Sequence, residues 1–176
     1  MSEISNGDSE LSALVIKWYQ LNGRKELPWR NNVTPYRTWI SEIMLQQTQV
    51  KTVIPFYLRF IKTYPNLNKL MLADEDQIIA LWSGLGFYRR AKNIFKAKEH
   101  IKNKLGGKFP NNYSDLVSLP GIGESTAGAI MSIAFKESHP ILDANVKRVL
   151  TRHSKIVKDS PSKKNKLLWK MSRRQT

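Results

Sequence analysis

Leu119-Pro120-Gly121-Ile122-Gly123-Glu124-Ser125-Thr126-Ala127-Gly128-Ala129-Ile130 is the stretch whose reading decides the fold. Leu119-Pro120 presets a turn, and Gly121 and Gly123 flank Ile122 just ahead of a run with helical character. Glycine permits positive φ and lets another group approach the backbone N–H groups with no Cβ in the way. The small residues Thr126-Ala127-Gly128-Ala129 allow this second helix to lie close to a neighbour. With Tyr113 to Ser118 in front of it, the segment predicts two helices joined by a short hairpin. Amides at such a helix start favour an anion, although an ordinary helix–helix turn has the same local sequence.

Working outward, the pattern stays helical. Leu11, Leu14, Val15 and Trp18 recur at helical spacing up to Asn22-Gly23. Leu27-Pro28-Trp29-Arg30 through Thr34-Pro35 reads as a loop. Tyr36 to Gln47 predicts a helix with Trp39, Ile40, Ile43 and Met44 on its apolar face. Thr48 to Tyr64 contains another, with Pro55 near its first turn. Asp74-Glu75-Asp76 opens a short helix ending at Gly84, where the acids suit the positive end of the dipole. After the Gly84–Tyr88 turn, Arg89 to Leu105 is amphipathic and stops at Gly106-Gly107. Helices over about 124–135 and 145–153 complete an all-α expectation, with no repeat and no alternation that would build a sheet.

The 176 residues carry a net charge of +15. Eleven Lys or Arg and one acid, Asp159, lie between Lys147 and Thr176. Such a balance favours a polyanion, nucleic acid or an acidic membrane face, although a solvated surface explains it equally well. The chain has no cysteine, which excludes disulfides and cysteine-ligated zinc or iron–sulfur sites within it. His100, His139 and His153 lack ligand spacing, so no metal is expected. The polar, acidic start and the lack of a long apolar stretch predict a cytoplasmic protein with no membrane partner.

Two carboxylates stand in unusual surroundings. Glu42 lies among Ile40, Ile43 and Met44, where burial would raise its pKa and keep a proton available for a general acid. The plainer reading pairs it with Arg37 or Lys51 at the surface. Asp143, before Ala-Asn-Val-Lys-Arg, is a good helix N-cap worth about 1 kcal/mol, and a carboxylate so fixed is also well oriented for catalysis. Gln46, Gln47, Thr48 and Gln49 place amides and a hydroxyl at a helix end. Phe87 and Tyr88 put aromatic faces on a tight turn beside Arg89 and Arg90. These types suit base edges and an unstacked duplex, though a polar surface and a core aromatic are their commoner roles. A hairpin able to hold a phosphate, together with two carboxylates, points to cutting a base from its deoxyribose.

Taken together, the segments Trp39–Val50, Trp82–Ala91, Gly106–Pro110, Leu119–Ile130 and Pro140–Arg152 resemble the adenine DNA glycosylases, which remove adenine mispaired with 8-oxoguanine. These belong to the helix-hairpin-helix superfamily that includes endonuclease III. The likeness runs in order from about Leu11 to Leu168. It implies a helix-hairpin-helix glycosylase fold: a six-helix barrel module over 29–135, with the hairpin unit at 114–135, and an incomplete second lobe. That lobe takes an N-terminal helix over 11–28 and the segment 136–170, with a disordered stretch over 1–10 and an atypical tail over 171–176.

By the same resemblance Glu42 protonates adenine N7, and Asp143 stabilises or captures the oxocarbenium ion. That division of labour accords with two-carboxylate glycoside chemistry in general. Asn145 positions sugar and water. Gln47, Thr48 and Leu85 contact the 8-oxoguanine region, and Gly121, Gly123 and Ser125 belong to the DNA-gripping hairpin. Tyr88 stands next to Phe87, which replaces the family's usual tyrosine and keeps a stacking face without the hydroxyl. Arg24 and Trp29 line the path to the base pocket. Strand-cleaving relatives carry a lysine where this chain has Ser125, so the implied activity is monofunctional. The implied partner is double-stranded DNA with A:8-oxoguanine or A:G mispairs, bound by a monomer associated with the nucleoid.

The chain departs from the family after Trp169. Family members continue with a four-cysteine [4Fe–4S] module and a domain that recognises 8-oxoguanine, and neither is present. The resemblance therefore implies a truncated form without cofactor, with apolar surface exposed near Trp18, Val149 and Trp169 and Asp143 loosely held. The alternatives are a catalytically inactive DNA-binding remnant and a helical protein that uses its uncovered apolar face for a partner. A strand-cleaving lyase is disfavoured by Ser125.

Overall fold

The computed structural model describes residues 3–156 and 160–176. Among these residues there are ten α-helices and no strand: α1 Glu3–Asn22, α2 Pro35–Leu45, α3 Val50–Thr63, α4 Leu67–Leu70, α5 Glu75–Trp82, α6 Arg89–Lys104, α7 Tyr113–Ser118, α8 Glu124–Ile130, α9 Ala144–His153 and α10 Pro161–Arg174. A 3₁₀ turn at Pro28–Arg30 precedes α2, and a π turn at Met131–Phe135 prolongs α8. The sequence reading missed α4 and α10. The disorder expected over 1–10 falls at residues 1–2 outside the described residues, and α1 opens at Glu3. No proline interrupts that stretch, and extending a formed helix fixes one residue per added hydrogen bond.

The helix starts follow from local chemistry. Thr34, Asn66, Asp74, Asn112, Asp143 and Ser160 each accept a backbone N–H of the first turn that they cap. Asp74 and Gln77 close a full capping box. Pro55 falls inside α3, further along than the first turn.

The chain divides into two compact units, one of residues 27–137 and one of residues 1–26 with 138–176. In the first, α2 is the central element, packed against α3, α8, the π turn and the 3₁₀ turn. Seven of its eleven residues are buried, so it is apolar on most sides, as a surrounded helix must be. Trp39, Trp82, Tyr57 and Phe60 are the largest fully buried side chains of this core. Each contributes roughly 1.5–3 kcal/mol through burial. Trp82 meets Phe60 edge-on at 6.5 Å between centroids.

The second unit has a smaller core of Leu142, Leu150 and Leu168, with Leu11, Val146, Ile156, Trp169 and Met171 packed on it. Trp169, expected at an exposed surface, is therefore half-buried. Trp18 and Val149 are exposed and line an apolar groove with Leu14, Val15 and Leu21. Residues 171–174, set apart in the sequence as an atypical tail, continue α10. There Ser172 donates to the Ile141 carbonyl at 2.6 Å. No helix among the described residues is long and apolar enough to cross a membrane.

Candidate nucleic-acid interface and carboxylate site

The hairpin between α7 and α8 is pinned from inside by Leu119 and Ile122, both buried. The Leu119 N–H donates to Leu116 O and the Ile122 N–H to Leu119 O, each at 3.1 Å. Gly121 has φ +83, and a Cβ there would meet Asn93 Cβ at 2.8 Å, so this glycine is needed twice over. Gly123 differs from expectation. Its φ of −92 suits any residue, and a Cβ would meet nothing within 4 Å. It is the N-cap of α8 and, as glycine, puts no side-chain oxygen on the first amides. Ala127, Gly128, Ala129 and Ile130 are buried where α8 meets α2. Ser125 is half-buried in the first turn of α8.

Glu42 is half-buried between buried Ser41 and Ile43, about one turn from the end of α2. Beyond α2 the chain turns through Gln47, which is exposed with φ 56, into half-buried Thr48. The Gln46 side chain reaches the Gly121 carbonyl at 3.5 Å, which brings this turn to the hairpin. In the Gly84–Tyr88 turn, Gly84 (φ 92), Gly86 (φ 78) and Phe87 (φ 51) are all left-handed. Phe87 is 57% and Tyr88 44% exposed. Leu85, at 5% exposure, is a core residue that supports the turn from beneath. Trp29 is half-buried against the core, its ring edge-on to Tyr57 at 5.5 Å.

The sequence showed Arg90 only as a cation beside the aromatic turn, not as a buried one. Its side chain donates to the carbonyls of Ile43 (3.2 Å), Met44 (2.7 Å) and Gln46 (2.5 Å) and to Gly86 (3.2 Å). Burial holds its guanidinium below the ordinary arginine pKa. The negative end of the α2 dipole, here the carbonyls of Ile43, Met44 and Gln46, is what stabilises a buried cation at this position. Helix phase was the available signal, since Arg90 shares a face with Ile94, Ala97 and Ile101 of α6.

Asp143, Asn145 and Arg24 lie in the other unit. Asp143 is exposed and its Oδ1 accepts the Val146 N–H at 2.8 Å, so the capping role is real. Its loop is fixed by buried Leu142 and by Ser172, not loose. Exposed Asn145 accepts a hydrogen bond from Arg148 Nη2 at 2.7 Å. Arg24 is exposed. Together α9 and α10 carry nine Lys or Arg and no acid, and the groove between them is lined by Lys147, Arg148, Arg152 and Lys164. With no cysteine in the chain, and no cluster of three or more His, Asp or Glu among the described residues, these residues do not fit an iron–sulfur cluster.

The family model for the HhH-GPD superfamily base excision DNA repair proteins matches residues 40–174, and the chain belongs to this superfamily. It is 54% identical over 156 residues to the adenine DNA glycosylase of Buchnera aphidicola subsp. Baizongia pistaciae, covering 89% of this chain and 44% of that protein. It is 40% identical to the adenine DNA glycosylase of Mus musculus, over 84% of this chain and 30% of that one. The chain thus spans less than half the length of these relatives.

Among solved structures it resembles a thermostable thymine-DNA glycosylase, with TM-score 0.79 and 23% identity over 94% of this chain and 78% of that one. A trapped endonuclease III–DNA covalent intermediate matches with TM-score 0.75 and 22% identity, over 96% of this chain and 79% of that one. At these identities the likeness is one of fold.

Proposed function

We propose that the chain is an adenine DNA glycosylase that hydrolyses the N-glycosidic bond of adenine mispaired with 8-oxoguanine or guanine in double-stranded DNA. The observation that carries this reading is Glu42, a carboxylate half-buried on a mostly buried helix whose end meets the hairpin at Gly121. Glu42 donates the proton that turns adenine into a neutral leaving group. The Asp143 carboxyl group stabilises the cationic sugar as the bond breaks, and Asn145 orients sugar and water. Hydrolysis then places hydroxyl on the anomeric carbon and leaves free adenine with an abasic strand. Phe87 and Tyr88 offer exposed rings to an unstacked step, and Gln47 and Thr48 offer polar groups to the opposite base. The lysine-free start of α8, with Ser125 in its first turn, supports a monofunctional enzyme.

Single-turnover incubation with an A:8-oxoguanine duplex, split into samples with and without alkali, tests the reading. Adenine release with strand breaks only after alkali is expected. Breaks without alkali, or a high-yield borohydride-trapped adduct, would overturn monofunctionality. Salt-sensitive duplex binding with no release would instead favour the inactive DNA-binding remnant.

The hairpin's part is tested by two alanine substitutions. Gly121→Ala is expected to destabilise by about 1–2 kcal/mol, the cost of a Cβ in left-handed backbone, with the Asn93 clash adding to it. Gly123→Ala should leave the urea midpoint unchanged, because its backbone is ordinary and its Cβ has room. It should nevertheless weaken duplex binding several-fold by crowding the phosphate seat. Unaltered affinity in Gly123→Ala removes the hairpin from the interface.

A further inference from the structure

We propose that Arg90 is a positioning residue that holds the turn after α2 and the Gly84–Tyr88 turn in one arrangement, and so sets discrimination of the base opposite the target adenine. The inference rests on the functional reading above and deepens it.

Arg90 is 7% exposed, and its guanidinium joins segments more than forty residues apart in sequence. One nitrogen, Nη1, serves the carbonyls of Ile43, Met44 and Gln46 at the end of α2, while Nη2 reaches Gly86 O at 3.2 Å. Trp82 Nε1 donates to the same Gly86 carbonyl at 3.0 Å. The guanidinium also lies over two rings, Trp82 at 5.4 Å and Phe87 at 5.2 Å. The Arg90 backbone N–H donates to Phe87 O at 2.9 Å.

These contacts converge on strained backbone. Phe87 (φ 51) and Gln47 (φ 56) both occupy the left-handed region without being glycine, a conformation that persists only where the surroundings over-determine it. Both residues are exposed. Gln46, whose carbonyl Arg90 holds, sends its own side chain to Gly121 O at 3.5 Å, so the hairpin joins the same network. One buried cation therefore ties together an exposed aromatic, an exposed amide and the hairpin. A ligand that such an array suits is a duplex with a disrupted step. Arg89, one residue earlier, is exposed and makes none of these bonds.

Lysine cannot replace this network, because a single ammonium on a flexible stem does not reproduce a planar fork serving two turns at once. The test uses the full chain and its Arg90→Lys and Arg90→Gln variants. Melting temperature is measured together with dissociation constants for an A:8-oxoguanine duplex and a matched A:T duplex of the same sequence. In a variant that folds, the preference for the mispair is expected to fall by about 10- to 100-fold, the range for hydrogen bonds to a charged group. Affinity for the matched duplex should stay within about two-fold, since the hairpin's own backbone bonds at Leu119 and Ile122 do not involve Arg90 and phosphate contacts carry no sequence information. Hydrogen exchange at amides 46–49 and 84–88 should rise in parallel.

An unchanged preference in a folded variant overturns the inference and leaves the glycosylase reading intact. An equal loss for both duplexes, or failure of both variants to fold, makes Arg90 a structural residue and also overturns it. A wild-type chain that binds both duplexes alike overturns the glycosylase reading and the inference with it.

Discussion

Glu42→Gln is expected to lower the single-turnover rate of adenine release by about 10²- to 10⁴-fold, the usual contribution of a positioned general acid. The substitution keeps the shape of the side chain on α2 and replaces the ionisable carboxyl by an amide that cannot act as an acid. Ser41 and Ile43 on either side are buried, so the backbone that presents residue 42 has little freedom to shift. Duplex affinity and melting temperature should therefore stay near wild type, and the loss should appear in the chemical step alone. Glu42→Gln activity equal to wild type would remove Glu42 from the mechanism and leave the fold assignment untouched. A matching fall in melting temperature would mean that the carboxylate is structural.

Asp143 has two roles that two substitutions separate. Asn and Asp cap helices about equally well, so Asp143→Asn should keep the bond from the Val146 N–H and hold α9 in place. It removes the negative charge, and release should slow by about 10²- to 10³-fold, the scale of one lost electrostatic stabiliser. Asp143→Ala removes charge and cap together and should cost a further ~1 kcal/mol of stability, read as a lower denaturation midpoint. Asp143→Asn with full activity and unchanged stability would leave residue 143 a helix cap alone. Because Leu142 is buried and Ser172 binds the Ile141 carbonyl, a displaced loop is not expected to confound either variant.

The helical class, most helix starts and the hairpin were legible because short-range rules specify them. Asp74 with Gln77 is a capping box in any context, and a proline ahead of two glycines is a turn in any context. The α10 helix was missed although its signals were present. Ser160-Pro161 is a cap followed by proline at the first helical position, and Leu167, Leu168 and Met171 recur at helical spacing. Lysines at 163, 164, 166 and 170 interrupt that recurrence, so the stretch is dominated by charge rather than period.

Leu85 and Arg90 mark where local reading ended. Leucine on a glycine turn looks like an exposed apolar contact, yet Leu85 is covered by the core of its unit while its neighbour Phe87 is not. Arg89 and Arg90 are indistinguishable as sequence, but a single helical step of about 100° puts one in solvent and the other under α2. By itself the sequence determined most of the helices, the Asp143 cap and the hairpin, since those depend on residues within a few positions of each other. Only the tertiary structure decided which side chains face inward and which carbonyls Arg90 satisfies. Those outcomes depend on segments remote in the chain, which meet only when the apolar faces of the helices are buried together.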